Sequence, residues 1–127
     1  TYNHGRGHGV GAYLGVHEGP IGISSRYPQP LEAGNVISNE PGYYKAGEYG
    51  IRIENLVVVK EAEAFPGYLE FETLTLAPID VRLIEKGLLT EAERGWLNDF
   101  HKRVLAEIGP KVSGDVKAWL ERATAAI

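Results

Sequence analysis

The sequence predicts an α+β fold in which an antiparallel β-sheet comes first and two amphipathic helices follow. Residues 1–80 are rich in Gly, Tyr, Val and Ile and are punctuated by repeated turn signals, whereas residues 88–127 read as helix. The apolar residues alternate in the first stretch and recur near every 3.6 positions in the second. Strands grouped before helices argue for α+β rather than for alternating βαβ units.

In chain order, the first expected strand lies at Asn35 to Glu40. Pro41-Gly42 then suits the centre of a type II turn, because proline presets φ and glycine accepts positive φ; Pro66-Gly67 repeats that signal. Between them, Tyr49 to Val59 (YGIRIENLVVV) is dense in β-branched residues and is expected as one strand, with Arg52 and Glu54 on one face and Ile51 and Ile53 on the other. Tyr68 to Leu76 (YLEFETLTL) alternates likewise and completes a meander. Thr90, followed three residues later by Glu93, is a capping box, and Ala92, Trp96, Leu97, Phe100, Val104 and Ile108 then predict a helix of about five turns that stops at Pro110. After Ser113-Gly114, a second helix is expected from Val116, Trp119, Leu120, Ala123 and Ile127.

At 127 residues the chain is long enough to bury a core within one domain, and its 43% hydrophobic and 24% charged composition excludes a disordered segment. No apolar run reaches the roughly 18–20 residues of a membrane span, and the first residues lack the basic-then-apolar pattern expected of a signal peptide. The net charge of −4, with both signs interspersed, leaves no basic stripe, so neither nucleic acid nor membrane is expected as a partner. The chain has no cysteine, which excludes thiolate ligands, disulfides and a Cys nucleophile and suits a reducing compartment. It also has no methionine, and dense site-like chemistry begins within residues 1–9 (TYNHGRGHG); both features read as a piece of a longer protein.

Chemistry concentrates in three places. His4, His8 and His17 fall within fourteen residues, among glycines at 5, 7, 9 and 11 that allow close backbone approach. Neutral imidazole is a common ligand for divalent transition metals, although a glycine-rich hairpin with solvated histidines has the same composition. The spacing fits neither a phosphate-binding P-loop nor a dinucleotide fingerprint. Glu40 precedes Pro41, which disfavours the α conformation, so its carboxylate is expected at a strand end as a ligand or proton carrier, or as an ordinary surface glutamate. Arg52 and Glu54 form a charged pair on an otherwise apolar strand, so that face meets something polar or is simply exposed.

HGRGHGVGAYLGVHEGP, SNEPGYY, YGIRIENLVVV, FETLTLAPID and LLTEAERGWLNDFH occur in this order from residue 4 onward. Together they resemble the C-terminal half of the catalytic domain of the Xaa-Pro aminopeptidase family, pita-bread metallopeptidases related to prolidase and methionine aminopeptidase. The resemblance implies two divalent ions held by two aspartates, one histidine and two glutamates. His8, Glu40 and Glu54 match three of these ligands, and the aspartates belong to strands preceding this segment. By the same resemblance His17 contacts the substrate, His4 lines the pocket, and Arg52 orients carboxylates without touching metal. Arg6 departs from the family's usual small or polar residue, which bears on substrate preference rather than on the ligand set.

The activity implied is hydrolysis of the bond between an N-terminal residue and a penultimate proline, with Glu40 carrying the proton and His17 and His4 stabilising the oxyanion. Manganese is the first choice of metal, with zinc or cobalt as alternatives. The resemblance further implies a cytoplasmic homodimer that is inactive as this segment alone. The alternatives are a prolidase or other pita-bread hydrolase, and a peptide-binding or chaperone module of the same fold.

Overall fold

Val57 and Val59 are nearly inaccessible, 4% and 1% exposed, because they sit in the middle strand of a three-stranded sheet. The computed structural model describes residues 4–127; Thr1, Tyr2 and Asn3, part of the expected β-rich stretch and of the site-like run at residues 1–9, lie outside the described residues. The chain divides into two units, one ending at Thr75 and one spanning Leu76–Ile127.

The first unit carries β1 (Val36–Asn39), β2 (Gly42–Lys45), β3 (Tyr49–Arg52), β4 (Asn55–Glu61) and β5 (Leu69–Thr73). One antiparallel sheet runs β1-β4-β5, and β2 and β3 form a separate antiparallel hairpin. The expected single strand from Tyr49 to Val59 is therefore two, broken at Ile53-Glu54. The cause lies on the opposing strand. Asn39 faces Asn55 and Gly42 faces Arg52, so the interruption sets Glu40-Pro41 against Ile53-Glu54. Proline has no N–H to give the ladder. One bond crosses the gap, from the Ile53 N–H to the Pro41 carbonyl at 3.2 Å.

Pro41-Gly42 is likewise not a turn, since Gly42 already belongs to β2. The hairpin reverses at Ala46-Gly47, where Gly47 adopts φ 73° and the Glu48 N–H donates to the Lys45 carbonyl at 3.0 Å. Pro66-Gly67 does form its turn: Gly67 has φ 85° and the Tyr68 N–H bonds the Phe65 carbonyl at 3.0 Å.

Residues 6–10 run beside β1, through Val10 N–H to Val36 O at 2.9 Å, Ser38 N–H to His8 O at 2.9 Å and Glu40 N–H to Arg6 O at 2.7 Å. On their other side, the Gly9 N–H reaches Ile21 O at 3.0 Å and the Ile23 N–H reaches Gly7 O at 3.2 Å. At Gly7 and Gly9 the flanking backbones leave no room for a side chain: a Cβ on Gly7 would stand 2.2 Å from the Ser38 carbonyl, and one on Gly9 2.0 Å from the Glu18 carbonyl.

In the second unit, short 3-10 turns at Val81–Leu83 and Lys86–Leu88 lead into α1 (Glu91–Ile108). Its capping box is complete, with the Glu93 N–H donating to the Thr90 hydroxyl at 3.2 Å and the Thr90 N–H to the Glu93 carboxylate at 2.8 Å. A 3-10 turn at Gly109–Lys111 links α1 to α2 (Gly114–Ala123), which stops short of the expected Ile127. The Thr124 hydroxyl donates to the Leu120 carbonyl at 2.7 Å at that end. Phe100, Val104 and Leu120 form the core, packed by Leu76, Ile79, Leu105, Ile108 and Val112. Burying each of the three is worth about 1.5–3 kcal/mol. Val116 and Trp119 of α2, expected on its buried face, are exposed. No helix among the described residues is long and apolar enough to cross a membrane.

Candidate metal centre

Side chains alternate along a strand, so Ser38 and Glu40 point to one side of β1. Pro41 holds Glu40 extended, and the carboxylate is buried at 6% exposure. Both of its oxygens are engaged: the Ser38 hydroxyl donates to Oε1 at 3.0 Å and Arg52 Nη1 donates to Oε2. The pairing of residues 6–10 with β1 sets His8 alongside. Its Nδ1 lies 2.8 Å from the Gly9 carbonyl, which can only accept, so the ring proton sits on Nδ1. The lone pair of Nε2 is then left facing Glu40 Oε1, 3.2 Å away. Two acceptors at that distance repel unless a positive charge, a proton or a metal ion, stands between them.

His17 completes the group. The Glu18 N–H bonds the Gly9 carbonyl at 3.0 Å, and the Glu18 carboxylate accepts from the Tyr13 and Gly15 N–H groups. The loop thus coils round one carboxylate, with Leu14 in the left-handed region at φ 67°, and it delivers the His17 ring edge-on to His8 with centroids 4.3 Å apart. His8, His17 and Glu40 each offer a ligand atom, and these atoms lie within 4.8 Å of one another. Two imidazole nitrogens and a carboxylate oxygen are a donor set that Mn²⁺, Co²⁺ or Zn²⁺ accepts, so the residues present fit a divalent ion.

The structure brings His8 and Glu40 together with His17 rather than with Glu54. Continuing the register from Asn39 opposite Asn55 puts Glu40 opposite Glu54 at the ladder break, and like charges placed directly across strands repel. Glu54 is exposed. Arg52 is the cation near both: its Nε donates to the Tyr44 hydroxyl at 2.6 Å, and its pKa is raised by that hydrogen bond first, with Glu40 and Glu54 adding. His4 stands outside the converging group. Its Nε2 lies 3.2 Å from the Gly42 carbonyl, and its ring meets Tyr44 edge-on at 5.3 Å.

Two residues escaped the sequence reading. Ser38 had a signal, its position two residues before Glu40 on the same strand face. Tyr44 had only its place in a tyrosine-rich strand. A cleft of about 740 Å³ lies among Gly9, Val10, Glu18, Pro20, Glu32 and Val36, but none of the three converging donors lines it, so the chemistry is not assigned there.

The profile of Metallopeptidase family M24 matches residues 1–61, and that of the C-terminal region of peptidase M24 matches residues 67–127. The chain is 49% identical to "Probable Xaa-Pro aminopeptidase P" of Coprinopsis cinerea over 99% of its own length and 22% of that protein's. It is 50% identical to the protein of the same name from Sclerotinia sclerotiorum, over 95% of this chain and 22% of the relative. Its backbone is similar to the crystal structure of X-prolyl aminopeptidase from Caenorhabditis elegans, described as a cytosolic enzyme with a di-nuclear active site. The TM-score is 0.86 at 46% identity, covering 98% of this chain and 22% of that one. The chain thus spans about a fifth of the length of the relatives it matches.

Proposed function

Because the chain belongs to Metallopeptidase family M24, we propose that it is the ligand-bearing C-terminal part of an Xaa-Pro aminopeptidase, which removes the N-terminal residue from peptides with proline in second position. The observation that carries this reading is the convergence of His8, His17 and Glu40, whose ligand atoms lie within 4.8 Å of one another, with His8 Nε2 facing Glu40 Oε1 at 3.2 Å.

His8, from residues 6–10, and Glu40, directly after β1, would be ligands. Glu54, opposite Glu40 across the ladder break, would be the third ligand, and two aspartates would come from elsewhere in the intact polypeptide. Two divalent ions, when bound, supply Lewis acidity that makes hydroxide available near neutral pH and polarises the scissile carbonyl. Manganese is the proposed metal, and the cytoplasm the proposed location, in line with the cytosolic relative.

The protein's own groups do the rest. Glu40 takes the proton as water attacks the carbonyl carbon and returns it to the proline nitrogen as the C–N bond breaks. Arg52 and Ser38 hold one Glu40 oxygen each, so the carboxylate is aimed before substrate arrives. His17, exposed on its loop, donates to the oxyanion with help from His4, a contribution of about 3 kcal/mol for a well-placed donor. With His8, Glu40 and Glu54 but without the two aspartates, residues 1–127 alone do not sustain turnover.

Glu40→Gln in the full-length protein keeps the shape and removes the proton carrier. Turnover of an Xaa-Pro tripeptide should be abolished, and near-normal kcat would remove Glu40 from the mechanism. Cleavage of dipeptides alone by the parent enzyme would assign a prolidase instead.

A further inference from the structure

The chemistry above uses the Ser38 hydroxyl only as a prop for one oxygen, yet its surroundings give it a larger part. Ser38 is completely buried. Its Oγ accepts the His8 backbone N–H at 3.0 Å and donates its single proton to Glu40 Oε1, also at 3.0 Å. In a regular antiparallel ladder the His8 N–H would go to the Ser38 carbonyl, since the Ser38 N–H already bonds the His8 carbonyl. The hydroxyl takes that place, and so joins the backbone of one ligand residue to the carboxylate of the other.

From this geometry we infer that Ser38 is a positioning residue that sets the His8–Glu40 separation for the cation, an inference that rests on the metal-site reading above. A hydroxyl has one proton, so accepting from His8 commits that proton to Glu40. Oε1 is the oxygen that faces His8 Nε2 at 3.2 Å, so the bond fixes the rotation of the carboxylate that matters for coordination. Glutamate has three rotatable side-chain bonds, and Arg52 grips only the other oxygen. Removing the hydroxyl frees Oε1 to rotate and leaves the part-buried His8 N–H without its acceptor. Groups that orient ligands in this way change metal affinity by about 10–100-fold when lost.

The test uses the full-length protein stripped of metal and titrated calorimetrically with Mn²⁺ alone. Ser38→Ala should weaken Mn²⁺ binding by at least about tenfold with a smaller effect on KM for peptide. Ser38→Thr and Ser38→Val have the same shape and differ in the hydroxyl, so the threonine variant should bind Mn²⁺ about tenfold more tightly than the valine variant even if both are less stable than the parent. Parental affinity in Ser38→Ala, or equal affinities in the threonine and valine variants, would overturn the inference. His8→Ala and Glu40→Gln serve as references. If they lose Mn²⁺ while Ser38→Ala keeps it, only the role of Ser38 falls; if they too bind as the parent does, the metal-site reading falls and this inference with it.

Discussion

Gly7 lies where one added methyl group would reach the centre through the backbone. A Cβ there would stand 2.2 Å from the Ser38 carbonyl and 2.9 Å from the Ile23 side chain. The segment cannot retreat, because it is hydrogen-bonded to β1 on one side and to residues 21–23 on the other. Gly7→Ala should therefore cost about 1–3 kcal/mol by overpacking, read from urea denaturation, and should weaken Mn²⁺ binding by pushing His8 off Glu40. Gly5→Ala is the control: nothing lies within 4 Å of a Cβ there, and both readouts should be unchanged. The glycine pattern was legible in the sequence as a demand for close backbone approach. Which glycine meets which backbone was not, because the pairing partners, residues 21–23 and β1, lie far along the chain. The same holds for His17: its type and its neighbourhood to His8 could be read, whereas the loop coiled on Glu18 that turns it toward His8 could not.

At the scale of elements, local signals survived and non-local ones did not. The capping box at Thr90 needs only four consecutive residues, and it formed as expected. The break between β3 and β4 depends on Pro41 in the opposing strand, so Tyr49 to Val59 read as one strand. The same break puts Glu40 opposite Glu54, which spacing alone does not show. Thr90→Ala should cost about 1 kcal/mol of the second unit's stability at neutral pH. Hydrogen bonds from the Thr90 N–H and then its hydroxyl lower the Glu93 pKa, so the folded state releases that proton more readily than the unfolded one. The stability this carboxylate contributes is present above the unfolded value near 4.5 and is lost as pH falls through its folded pKa. The gap between parent and Thr90→Ala melting temperatures should narrow in acid; a gap independent of pH would show that the Glu93 charge takes no part in the cap.

On the scale of the whole molecule, the second unit contains its own response to acid, built on His101. This residue is completely buried on α1, and its Nε2 accepts the Ile79 N–H at 3.1 Å, so the ring proton is on Nδ1. Nδ1 itself is buried with no hydrogen-bond partner. Adding a second proton would put a charge in that setting and abolish the acceptor that Ile79 uses. Burial accordingly lowers the His101 pKa. For a base with a depressed folded pKa the unfolded chain binds the extra proton first. The stability contributed by neutral His101 is thus complete above the unfolded value of 6.5 and declines as pH drops below it, until the folded residue also protonates. Ile79 and its neighbour Leu76 pack on the core formed by Phe100, Val104 and Leu120, so protonation loosens the first residues of the unit from that core. His101→Gln offers an amide oxygen to the Ile79 N–H and does not titrate. The urea midpoint of the second unit should fall between pH 7.5 and 5.5 in the parent and fall less in His101→Gln, with protection of the Ile79 amide following the midpoint. Parallel curves for the two proteins would show that His101 fills space in the core without governing its response to acid.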